Sequence, residues 1–213
     1  MRENDTTSEW IGLNSEEHAE LTFNASPDHG HFAENHVLSV ALDEFIKAAK
    51  EYPILFVQGK AGPTPIVLLG LAENENFYFD EDSWQANYIP AAARLYPFQL
   101  SENNVLIDAS ASHFNSDNGE TLFDEEGKAT DVLNERLGFL HACRDADGKT
   151  QAWCQRIAAL GLFTEHQIGV ESPEGKRYRL DAFLTVDKEK ILKLGDADLA
   201  SLVRDGSLDF VYA

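Results

Sequence analysis

Between residues 84 and 98 the chain reads Trp84-Gln-Ala-Asn-Tyr88-Ile-Pro90-Ala-Ala-Ala-Arg94-Leu-Tyr96-Pro97-Phe98, its densest gathering of aromatic rings around one guanidinium. Rings beside an arginine fork can stack on a planar or sugar ligand, hydrogen-bond its edge, or clamp a carboxylate. Asp108 ends a strand-like run, and Asp80, Glu81 and Asp82 follow another. If those strand ends converge, they supply paired carboxylates for acid–base work. The candidate ligand-binding set is therefore Trp84, Tyr88, Arg94, Tyr96 and Asp108. A structural reading stands beside it, in which the rings close a sheet and Arg94 pairs with Asp108 or with one of Asp80, Glu81 and Asp82. In a chain with 37 acidic residues, carboxylate groupings also arise without any role.

His29, His31 and His36 form the histidine cluster. On an extended strand, alternate residues share a face, so His29 and His31 could meet one metal ion with His36 or an acid as third ligand. The spacing is loose and the segment polar, so the three are weak metal candidates and no metal centre is assigned. There is no Gly-rich phosphate loop, Walker sequence, Gly-x-Ser-x-Gly elbow or His-Glu-x-x-His helix. No cofactor is predicted.

Charge narrows the partners. With 37 acidic against 17 basic residues the formal net charge is -20, which repels phosphate backbones and anionic headgroups and argues against nucleic acid and membrane surfaces. No stretch approaches the roughly 18 apolar residues of a spanning helix, and the first residues carry no apolar signal core, so a soluble cytoplasmic protein is expected. Cys143 and Cys154 lie about 16 Å apart if one helix carries both, too far for a disulfide.

The elements that must position these residues read as α+β. Residues 1–32 show little periodicity and form an extended or partly disordered lead-in with few core contacts; residues 33–213 form one domain. A short strand at Val37–Val40 precedes a helix with Leu42, Phe45, Ile46 and Ala49 on its apolar face. The runs Ile54–Val57, Pro65–Leu71 and Phe77–Phe79 have connections too short for crossover helices, predicting an antiparallel meander. A short helix starts near Pro90, strands follow at Val105–Ala109 and Thr121–Phe123, and a long helix, or a helical hairpin broken near Gly148, covers about 129–162. A hairpin over Gln167–Glu171 and Arg177–Val186 follows, then two short helices capped by Asp187 and Asp196, and a last strand at Leu208–Tyr212.

The order Tyr52-Pro-Ile-Leu-Phe56, Pro65-Ile-Val-Leu-Leu-Gly-Leu71, Asn76-Phe-Tyr-Phe79, Trp84, Tyr88-Ile-Pro90, Tyr96-Pro-Phe98, Ile107-Asp108 and Gly206-Ser-Leu-Asp-Phe-Val-Tyr212 resembles the SapC-like proteins over residues 36–213. The resemblance implies no particular reaction. It implies a bacterial protein whose relatives are encoded beside flavin-dependent halogenases and TonB-dependent receptors, so a halogenase is one candidate partner. The label of peptide-transport permease attached to such proteins conflicts with the lack of spanning helices. The expected function is a cytoplasmic accessory protein that binds a small molecule or a protein partner. The alternatives are an enzyme acting on a carbohydrate or amino-acid derivative through Arg94, Tyr88 and Asp108, and an S-layer-related structural protein.

Overall fold

The computed structural model describes residues 9–25, 29–102, 104–116, 118–171 and 175–212. Its strands in chain order are β1 (Trp10–Gly12), β2 (Thr22–Phe23), β3 (Val37–Ser39), β4 (Ile54–Gly59), β5 (Gly62–Leu68), β6 (Phe79–Asp80), β7 (Ser83–Trp84), β8 (Phe98–Ser101), β9 (Asn104–Asp108), β10 (Glu120–Thr121), β11 (Phe163–Glu171) and β12 (Arg177–Val186). The helices are α1 (Phe45–Ala48), α2 (Ala91–Leu95), α3 (Asp131–Ala159), α4 (Lys188–Ile191), α5 (Asp196–Arg204) and α6 (Ser207–Val211). All strand pairs are antiparallel, so the fold is α+β. The chain divides into two compact units, residues 1–29 with 93–144, and residues 30–92 with 145–213.

In the first unit the sheet order is β1-β9-β8, with Trp10 opposite Asp108 and Phe98 opposite Ile107. Its core holds Phe23, Phe98 and Phe114, whose ring centroids lie 5.0, 5.8 and 5.7 Å apart pairwise. Leu133 and Leu140, two turns apart on α3, join the same cluster. The expectation of few core contacts from the first 32 residues is corrected at Phe23, which is buried at the centre of this cluster. Burying such a ring contributes about 1.5–3 kcal/mol. Gly119 is fixed by a close approach, since a Cβ there would stand 2.8 Å from the Thr22 side chain. The sequence Asp117-Asn118-Gly119 reads as a turn ahead of Thr121, and Asp117 lies outside the described residues.

The second unit is built on a sheet of order β11-β12-β4-β5-β3. The β4–β5 hairpin runs in register from Ile54 opposite Val67 to Gly59 opposite Gly62. The third apolar run does not extend this sheet; Phe79 pairs with Trp84 in a separate small ribbon, and β3 takes the other edge of β5. The cause is the turn at Gly70, where the backbone lies so close to Glu75 that a Cβ would fall 1.9 Å from its carbonyl oxygen. Phe45, Phe56, Trp153, Phe163 and Phe210 form the aromatic core, with centroids 4.9 to 6.2 Å apart.

Ahead of α1 the chain makes a 3-10 turn over Leu42–Glu44. Its three-residue period puts Leu42, Phe45 and Ala48 inward and leaves Ile46 58% exposed, correcting the predicted face. The long helix is continuous: Gly148 sits in open space and breaks nothing, so the hairpin alternative falls away. Three turns of that helix keep Cys143 and Cys154 apart, no disulfide joins them, and burial pushes the Cys154 thiol up to about 12.

At the C-terminal end Asp187 caps α4 as predicted, accepting from the N–H groups of Glu189 at 2.9 Å and Lys190 at 3.3 Å. The cap of α5 is Gly195, and Asp196 falls in its first turn instead. The predicted last strand is a helix, α6, which starts after Gly206 turns the chain at φ 76° and buries Val211. Among the described residues no helix is long and apolar enough to cross a membrane.

Candidate functional site

Of the five candidate residues, Arg94, Tyr96 and Asp108 belong to the first unit, and Trp84 and Tyr88 to the second. Asp108 closes β9 and is fully buried. Its Oδ1 accepts from the Glu9 N–H at 3.1 Å, the Ser110 N–H at 3.1 Å and the Ser110 hydroxyl at 2.6 Å, while the Tyr96 hydroxyl donates to Oδ2 at 3.0 Å. Burial pushes this carboxyl upward, but the four donors together outweigh it and hold the group below the usual carboxylate range. Tyr96 is itself held edge-on by Trp10 at 6.5 Å and by His113 at 5.5 Å. The structure thus brings Tyr96 and Asp108 together. Of the carboxylate partners suggested for Arg94, Asp108 takes its hydrogen bonds from Glu9, Ser110 and Tyr96, and the Arg94 guanidinium lies over the Phe139 ring, 5.0 Å from its centroid.

Trp84 and Tyr88 meet through Tyr52. The Trp84 indole N–H donates to the Tyr52 hydroxyl at 2.8 Å, and that hydroxyl donates to the Tyr88 carbonyl. The Tyr88 hydroxyl donates in turn to Glu44 at 2.7 Å, a buried carboxylate that also accepts from the N–H groups of Ala91 at 2.7 Å and Ala41 at 2.9 Å. Glu51 holds the same segment from the other side, accepting from Asn87 N–H at 2.7 Å and Tyr88 N–H at 3.1 Å. Burial pushes the Tyr52 phenol up to about 12, against the Trp84 N–H, which lowers it. Such a phenol is a donor and a strut. Sequence reasoning singles out neither Glu44 nor Glu51, and names Tyr52 only within the stretch that carries the family resemblance; a glutamate between Leu42 and Phe45 is the available signal.

His29 precedes a 3-10 turn over Gly30–Phe32 and His31 lies within it, which corrects the extended geometry their spacing assumed. The His31 ring meets Phe32 edge-on at 5.1 Å, and the His36 carbonyl accepts from Leu69 and Gly70 N–H. Among the described residues no three His, Cys, Asp or Glu side chains are grouped to hold a metal ion. Asp80, Glu81 and Asp82 form the β6–β7 turn, where Glu81 and Asp82 take positive φ values of 48° and 61°.

The second unit also carries a cleft of about 260 Å³ that no sequence motif marked. Its walls come from the end of β3, the β4–β5 turn and one face of α3, with Asp147 and Gln151 one turn apart on that face. A family model, SapC, matches residues 13–213. No curated protein and no solved structure matches the chain.

Proposed function

The chain belongs to the SapC family, matched over residues 13–213, and from that premise we propose that it is a binding protein, taking up a small molecule or a protein partner without a chemical step of its own. The observation that carries this reading is the saturation of Asp108. A carboxylate that is fully buried, held ionised and engaged by four protein donors has neither a proton to give nor room to accept one from a substrate. Glu44 is consumed in the same way by Tyr88, Ala91 and Ala41. The polar tips of Trp84, Tyr88 and Tyr96 are each engaged by a protein side chain, Tyr52, Glu44 and Asp108 respectively. The reading places the protein in a reducing cytoplasm, supported by two cysteines that are not bridged to one another.

A thermal-shift survey of metabolites followed by NMR of each stabilising mixture tests this. The expected result is a compound that raises Tm and is recovered unchanged after prolonged incubation. Conversion of a bound compound, lost on Asp108→Asn, would establish the enzyme alternative instead.

A further inference from the structure

The cleft in the second unit has one apolar side and one polar side. Val40 and Pro65 are buried and Pro63 half-buried along the first. Ser39, Asp147 and Gln151 stand along the second. Among the described residues, no hydrogen bond or ion pair from the protein engages the side chains of Ser39, Asp147 or Gln151. Thr150, between them, is fully used, since its hydroxyl accepts from Leu42 N–H at 2.9 Å and donates to the Ala146 carbonyl at 2.7 Å. The polar groups on offer are therefore a carboxylate, an amide and a hydroxyl around an apolar wall, the composition expected of a small-ligand site.

The sign of the ligand follows from the local charges. Asp43 and Glu44 lie close enough to act on Asp147, and among the described residues no cation makes an ion pair with it. Asp147 is exposed, as are Ser39 and Gln151, and the partial burial of its carboxyl first, then the charges of Glu44 and Asp43, push it above the usual range. An arriving cation relieves that strain, whereas an anion adds to it. A divalent metal fits less well, because it needs several oxygen ligands on one centre and Asp147 is the one carboxylate lining the cleft. The volume lies below the roughly 300–1,000 Å³ of pockets for drug-sized ligands, which limits the ligand to a small molecule.

We propose that this cleft binds a small organic cation, a primary amine or guanidine on a short apolar stem, with its charge on Asp147 and its stem along Val40, Pro63 and Pro65. The proposal deepens the binding reading above and rests on it. Gln151 and Ser39 supply the further acceptors that an ammonium or guanidinium group requires.

Cadaverine titrated into the ¹⁵N-labelled full chain at pH 7 and low salt is the test, with 1-pentanol as the neutral probe of similar stem. The expected result is saturable shifts at the amides of residues 39–40, 61–62 and 147–151, no saturable response to 1-pentanol, and at least a tenfold loss of affinity in Asp147→Asn. That variant should melt no lower than wild type, because it removes a carboxylate held where its charge is unfavourable. Equal cadaverine affinity in Asp147→Asn, or saturable shifts confined to other residues, would overturn the assignment. A lysine-containing peptide binding tenfold more tightly than cadaverine would reassign the cleft to a protein side chain and overturn the small-molecule source. Failure of the cation with unchanged recovery of some other ligand would remove this ligand class and leave the binding reading standing, while turnover of a ligand would remove the reading itself.

Discussion

Asp108 and Asp147 are both aspartates in an acidic chain, and their surroundings treat them in opposite ways. Asp108 is fully buried, meets four donors and is held below the ordinary carboxylate value of 3.8. Asp147 is open on one side, meets no protein donor among the described residues, and is pushed above that value by burial and by Glu44 and Asp43. The first carboxylate ties β1, β9 and Tyr96 into one unit. The second lines a cleft with its side chain exposed, where a group from outside the protein can reach it. Degree of satisfaction therefore separates architecture from site more sharply than residue type does.

The largest expected effect is at the saturated end. Asp108→Ala strands the Tyr96 and Ser110 hydroxyls and two backbone N–H groups in a buried place, and should lower stability by on the order of 3 kcal/mol in chemical denaturation. A loss under 0.5 kcal/mol would show that the node is not structural. Tyr88→Phe removes one of the donors to buried Glu44 and should cost about 1 to 1.5 kcal/mol by the same measurement.

The two carboxylates also predict opposite pH responses. With its folded pKa depressed, Asp108 contributes stability that is present above its unfolded value and lost as pH falls through the folded one. With its folded pKa raised, Asp147 opposes folding when ionised, and that penalty disappears on protonation. Wild-type Tm should accordingly fall on acidification below about pH 4, less steeply in Asp108→Asn, whereas Asp147→Asn should raise Tm slightly at pH 7 and not at pH 3. Parallel curves for all three proteins would erase the contrast. The contact of exposed Arg94 over the Phe139 ring is weaker: Arg94→Ala should cost at least the roughly 0.5 kcal/mol of an exposed cation–π contact in chemical denaturation.

Local chemistry made some of this legible in the sequence. The apolar stripe of α3, the short turn of the β4–β5 hairpin, the alternation of β12 and the Asp187 cap are each written within a few neighbouring residues. Leu208–Tyr212 misled because a short segment with four apolar residues of five has the same composition in a strand and in a buried helix, and the left-handed turn at Gly206 with the Ser207 N–H on Asp205 decides between them. Within the candidate set, the sequence holds both Tyr96 and Asp108 without pairing them, and it could not supply Glu9, which reaches Asp108 from far along the chain. The cleft was invisible for the same reason: Asp147 and Gln151 look like an ordinary solvated helix face until β3 and the Lys60–Ala61 turn come alongside.

The Thr150 hydroxyl has a further consequence, and it concerns time. Leu42 N–H, at the start of the 3-10 turn, finds its acceptor on that hydroxyl and not on a neighbouring carbonyl. Solvent deuterium can replace this proton only when the turn lifts from the helix that carries Thr150. The exchange rate of a single amide is thus a clock for the opening of that joint, and because Ser39, Val40 and Thr150 line the cleft, a ligand bound there should slow it in proportion to occupancy.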